Sequence, residues 1–246
     1  MQQNESGNPA LSKKVMERVM AVDSADHATV GGTVFKTLVL LSLVIVTGVF
    51  GWQIAGNMAG TAAALVIGSS IAALIFGLIT AFSPKAAPIT APLYAVAEGF
   101  LLGAISRWFN DMYGGIVMQA IALTGVIFFS TLFLYQTRVV KVTKKFQSVV
   151  LIATLGIGLY YLLAFVLSLF GVRAPLIWDS GTVGILFSLF IIFIAALNLL
   201  LDFNFVETAA ANKAPKVFEW YGAFGLMVTL IWLYVEILRL LGKTRG

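Results

Sequence analysis

Between Val183 and Leu201 the chain reads VGILFSLFIIFIAALNLLL, a run with no charge and no alternation of apolar and polar residues. Such a segment has no polar face to offer water. At about 1.5 Å of rise per residue it is long enough to cross the ~30 Å hydrocarbon core of a bilayer as an α-helix. A transmembrane β-barrel would show short alternating segments instead.

The same run extends to Phe205, and six others share its character: Val34–Ala55, Thr61–Phe82, Ile89–Phe109, Ile116–Tyr135, Val149–Phe170 and Phe218–Leu241. Breakers fall between them at Gly56-Asn57, Ser83-Pro84, Gly114-Gly115, Gly171 with Pro175, and Pro215. The pattern predicts an all-α integral membrane protein with seven transmembrane helices in one bundle. Residues 1–28 form a polar cytoplasmic tail, and 29–246 the membrane domain. A surface helix over Leu11–Val22 and an irregular tail are both compatible with the first segment, and no signal peptide is expected from its polar composition. Composition agrees: 60% of the 246 residues are hydrophobic and 11% charged, and mean hydropathy is +0.97. A soluble domain is nearer half apolar and a quarter charged. Within the third segment, Gly99 and Gly103 make a small-xxx-small pair suited to close helix contact.

Lysine and arginine set the expected orientation. With the N-terminus inside, the inner loops hold Lys13, Lys14, Arg18, Lys36, Lys85, Arg138, Lys141, Lys144, Lys145, Lys213 and Lys216. The outer side then receives Arg107, Arg173, Arg239, Lys243 and Arg245. Eleven of the 16 cations inside against five outside favours a cytoplasmic N-terminus in a cytoplasmic (inner) membrane. The basic C-terminus is the one group that counts against it. The net charge of 16 − 11 = +5 therefore points to anionic lipid rather than nucleic acid.

Several chemistries are excluded. There is no cysteine for a disulfide, thiolate metal site or thiol nucleophile, and the one histidine, His27, precedes the first apolar run. No Gly-x-Gly-Asp, His-Glu-x-x-His or nucleotide-binding glycine loop appears, so neither an enzyme nor a resident cofactor is expected. Asp179 in WDSG looks like an aspartic-protease motif, yet it has no second copy and sits beside Pro175, where turn chemistry accounts for it.

The informative residues are acids inside apolar segments. Glu98 lies mid-way along the third, Asp202 one turn before the inner end of the sixth, and Glu236 in the outer half of the seventh. Each costs roughly 2.5–3.5 kcal/mol at a helix centre, so all three should face the bundle interior, protonated, paired or hydrated. A shared site would titrate as a coupled unit and suit proton sensing or cation passage. A neutral hydrogen-bond donor is the plainer alternative, and Glu236 with Arg239 is an i,i+3 ion pair. Arg107, at the outer end of the third segment, either snorkels to the headgroups or reaches a carboxylate.

Three stretches now combine: YAVAEGFLLGAISRWF (Tyr94–Phe109), LNLLLDFNFVE (Leu197–Glu207), and Glu219–Gly242, which closes on Leu238-Arg239-Leu240-Leu241-Gly242. Together with NPALSKKVMERV and GGTVFKT upstream, they resemble the transmembrane Bax-inhibitor-motif family, in particular its bacterial Bax-inhibitor-like branch. The resemblance spans nearly the whole chain. It implies a last helix central to two three-helix layers, and a pH-sensitive calcium leak governed by paired aspartates on the sixth and seventh helices. Asp202 matches the sixth-helix aspartate, Glu98 the third-helix glutamate, and Arg107 an arginine that latches the closed state. The seventh helix departs from the pattern, because the second aspartate falls on Thr229. Glu236, seven residues on, would place a charge about 10 Å further along roughly the same face.

The leading expectation is a pH-sensitive cation leak in which calcium or protons are transient ligands and no metal is tightly bound, since three acids cannot fill six to eight calcium positions. The alternative is a non-channel regulator that binds another membrane protein, such as a membrane protease or stress-response partner.

Overall fold

The computed structural model describes residues 27–57, 59–172, 176–177 and 179–245. The surface helix considered for Leu11–Val22, and Arg173, lie outside these. Among the described residues seven helices follow one another: α1 Val30–Asn57, α2 Ala59–Phe82, α3 Ala87–Met112, α4 Ile116–Gln136, α5 Lys144–Leu169, α6 Thr182–Ala211 and α7 Val217–Lys243. A 3-10 turn, Pro84–Ala86, precedes α3. All seven are long and apolar enough to cross a membrane, and the protein is a multi-pass membrane protein. Among the described residues there is no strand, only an isolated antiparallel bridge between His27 and Pro215.

Some helices outrun the apolar segments that announce them. α5 starts at Lys144 because Thr143 caps it, its hydroxyl accepting from Phe146 N–H at 3.2 Å. α1 gains its first turn from Thr29, whose hydroxyl accepts from Gly32 N–H at 2.9 Å. α6 continues to Ala211, so Asp202 stands nine residues from the helix end, rather than one turn from it. Hydropathy marks the lipid-facing part of a helix, whereas backbone hydrogen bonding carries the helix on into polar surroundings.

The described residues fall into two compact units. The first comprises residues 27–112 with 202–228, and the second residues 113–201 with 229–245, so α6 and α7 each contribute to both. α3, α6 and α7 bury the largest shares of their side chains, and α2, α4 and α5 the smallest.

In the first unit α1 and α3 meet along glycines. A methyl at Gly103 would fall 2.8 Å from the amide nitrogen of Trp52, and one at Gly99 3.0 Å from Val44 Cα. From the other side, a methyl at Gly51 would meet the backbone of Phe100. The small-xxx-small pair thus does the work expected of it, bringing two backbones together where dispersion drives association. The ends of α6 and α7 close around Ala28, Phe205, Val206, Phe218, Tyr221 and Leu226, with Ala28 N–H donating to Ala214 O at 2.7 Å. In the second unit Ile157, Ile191 and Ile194 pack with Tyr161 and Trp232, and Asn198 Nδ2 donates to Thr154 Oγ1 at 2.7 Å.

A methyl added to the glycine seam has nowhere to go without shifting backbone. Gly103→Ala is expected to cost about 1–3 kcal/mol, read as a lower thermal midpoint of the detergent-solubilised protein. Gly125→Ala on α4, where nothing lies within 4 Å, should leave the midpoint unlowered.

Candidate functional site

The first unit holds Glu98 and Asp202. Glu98 is half-buried on α3, hydrogen-bonded to Tyr94 one turn earlier on the same helix. The Tyr94 ring is itself fixed, set edge-on to Phe224 of α7 with centroids 5.1 Å apart and lying against the bare backbone of Gly77 on α2. Three helices therefore position the tyrosine that engages Glu98. Asp202, half-buried on α6, turns toward α7 at Gly225, its Oδ1 lying 3.9 Å from where a Cβ would stand. Glycine at 225 lets the carboxylate approach the α7 backbone with no side chain between them.

Arg107 is engaged close to home. Its Nε donates to Asp111 Oδ2 at 2.8 Å, one turn on, and its guanidinium lies over the Trp52 ring at 5.5 Å.

A further buried acid, not singled out from the sequence, sits in the first turn of α7. Glu219 is 2% exposed. Its Oε1 accepts from both the N–H and the hydroxyl of Thr29 at 3.0 Å each, and its Oε2 pairs with Lys36 Nζ. Lys36 also rests over Trp220, 5.6 Å from the ring centroid. A carboxylate in a first helical turn meets the positive end of the helix dipole, which was the available signal. The partner Lys36, 183 residues away, carried none.

The second unit holds Glu236 and Thr229, both buried on α7. Glu236 Oε1 receives Arg239 Nη1 at 2.6 Å and the hydroxyl of Tyr161 from α5. Arg239 Nη1 also donates to that hydroxyl oxygen at 2.7 Å, and its guanidinium stacks over the Tyr161 ring. The i,i+3 ion pair foreseen for Glu236 is present, with a tyrosine closing it into a triad. One turn further, Lys243 is buried and donates to Leu176 O, Gly184 O and Ser188 Oγ at 2.6, 2.9 and 2.9 Å. Arg245 reaches Tyr113 O, Gly114 O and Gln119 Oε1. Asp179 accepts from Gly181 N–H at 2.9 Å, the Asx turn that its WDSG setting suggested.

The acids are thus distributed, with Glu98, Asp202 and Glu219 in the first unit and Glu236 in the second. Along α7 itself Gly222, Gly225, Thr229, Glu236, Arg239 and Lys243 recur at alternating three- and four-residue steps, with Trp232 the one large apolar side chain in the row. That spacing keeps them on one side of the helix. Among the described residues no group of three or more His, Cys, Asp or Glu side chains is placed to hold a metal ion.

A seven-helix membrane fold with acids buried along its closing helices defines a class of polytopic membrane protein. Residues 8–246 match the family described as Bax inhibitor 1 like, and the chain belongs to that family. Neither the curated proteins nor the solved structures contain a match.

Removing Arg239 would leave Glu236, 1% exposed, without its cation. Arg239→Met is expected to destabilise by about 3–5 kcal/mol, the usual cost of orphaning a buried charge. The double variant Glu236→Gln/Arg239→Met should recover most of that loss in the same thermal melt.

Proposed function

We propose that the protein is a pH-sensitive cation leak pathway, with calcium as the ion that the family resemblance suggests. Asp202 standing against Gly225 carries this reading. Because α7 carries no side chain at Gly225, the carboxylate comes close to the backbone of that helix, where a proton or hydrated cation would meet no α7 side chain. The polar row of α7 continues from that point toward Thr229 and Glu236. Glu98, tethered to Tyr94, is the second acid of the same unit and the natural partner of Asp202 in sensing. At the position of the family's second aspartate, Thr229 offers a hydroxyl in place of a second carboxylate, so Asp202 senses protons without the shared proton of an aspartate pair. A latch role for Arg107 requires its release from Asp111. In this reading the protein is not an enzyme and holds calcium only in passage.

Purified protein in liposomes is expected to pass calcium at a rate that changes with lumenal or external pH. Asp202→Asn should flatten that pH profile. An unchanged flux and an unchanged profile in Asp202→Asn would remove Asp202 as the gate. Absence of flux in a folded protein that copurifies with a second membrane protein would favour the regulator reading.

The proposed location is a bacterial inner membrane with the N-terminus cytoplasmic. The C-terminal cations that count against this orientation end on protein groups: Arg239 on Glu236, Lys243 on three oxygens, Arg245 on two carbonyls and an amide. The α4–α5 loop, by contrast, exposes Arg138, Lys141, Lys144 and Lys145. Since the chain has no cysteine, single cysteines report topology directly. Lys141→Cys should resist an impermeant maleimide applied to intact cells, while Gly114→Cys should react.

A further inference from the structure

Lys243 is a charged side chain in the last turn of α7, yet it is only 7% exposed. Its three N–H donors are matched to three oxygens drawn from two places: the carbonyl of Leu176 before α6, and Gly184 O and Ser188 Oγ within it. Ser188 is itself 1% exposed. Leu176 is held at φ +71°, a left-handed conformation that a side chain of its size rarely adopts, and its carbonyl accepts the shortest of the three bonds. The loop folds tightly over α6, since a methyl at Gly184 would fall 2.9 Å from the carbonyl carbon of Asp179.

The surrounding charges are the second observation. Arg239, Glu236 and Asp179 all act electrostatically on Lys243. With the lysine in place the four groups balance, two positive and two negative. Without the ammonium, the same oxygens are left with one net negative charge around them. A nest of carbonyl and hydroxyl oxygens with a net negative charge around it suits a hard cation such as calcium.

We propose that the Lys243 ammonium is a tethered cation, filling an oxygen cage that accepts a hard metal cation, calcium in the first place, whenever the lysine is withdrawn. The cage stands on its geometry and on the charges around it. Its part in permeation, as a site that α7 plugs with its own charge, rests on the leak pathway proposed above.

The test is equilibrium calcium binding to the full chain in detergent, with potassium as the alternative ion. Lys243→Met is expected to take up about one calcium per chain more than the parent, with a Kd on the order of 10⁻⁴–10⁻³ M, as in weakly charged calcium sites. Adding Ser188→Ala should abolish the extra binding. In the cysteine-free chain, Lys243→Cys should show the extra site, lose it on attachment of an aminoethyl group that restores an ammonium, and keep it on attachment of a neutral methyl group. Extra uptake of potassium in place of calcium would support the cage with a monovalent ligand. A folded Lys243→Met that binds no more of either ion overturns the proposal. So does failure of both Lys243→Met and Lys243→Gln to fold, which would make the ammonium a structural peg. Binding is read without a gradient, so its failure and a failure of the leak pathway are told apart.

Discussion

A carboxylate carried into a bilayer must meet a cation, a proton or a hydroxyl, and the last helix is arranged around that requirement. Glu219 meets Lys36 and Thr29, and Glu236 meets Arg239 and Tyr161. The cations obey the mirror-image rule, Lys243 ending on oxygens alone. In a low-dielectric interior the loss of either member of such a pair costs several kcal/mol, while the intact pair contributes little net stability. These pairs therefore specify which helices lie together more than they strengthen the fold. Lys36 ties α1 to the start of α7, and Tyr161 ties α5 to its second half.

Asp202 is set apart by its neighbour. Opposite it α7 presents Gly225, which lets the carboxylate come close to the helix backbone. Glu236 is fastened to an arginine, whereas Asp202 reaches α7 at a position where that helix carries no side chain. The two carboxylates thus have the same chemistry in different settings, and the difference lies in a side chain that is missing rather than one that is present.

The sequence exposed whatever is local. Seven apolar runs announce seven helices because crossing a bilayer is a property of one segment at a time, and their order needs no knowledge of packing. Contacts within a helix were equally open to reading: Glu236 with Arg239 at i,i+3 is visible in the residues alone. Helix ends were less so, since Thr29 and Thr143 lengthen α1 and α5 by capping, a signal hydropathy does not register. Partners separated by long stretches of chain stayed hidden. Nothing in the residues themselves tells Glu219 that it will meet Lys36, or Glu236 that it will meet Tyr161, because neither pair shares a helix. The carbonyl nest of Lys243 was the least legible of all, being made largely of backbone, which every residue carries alike.

The glycine seam between α1 and α3 has a consequence at the level of inheritance. A glycine codon changes by one base to alanine, serine, cysteine, valine, arginine, aspartate, glutamate or tryptophan, never to a smaller residue. At Gly51, Gly99 and Gly103 even the first of these sets an atom against the opposing backbone. Chance variation in this gene thus has no gentle amino-acid replacement available at those three codons. Lines that retain the contact will hold them fixed for reasons of space alone, with no ion, proton or partner involved.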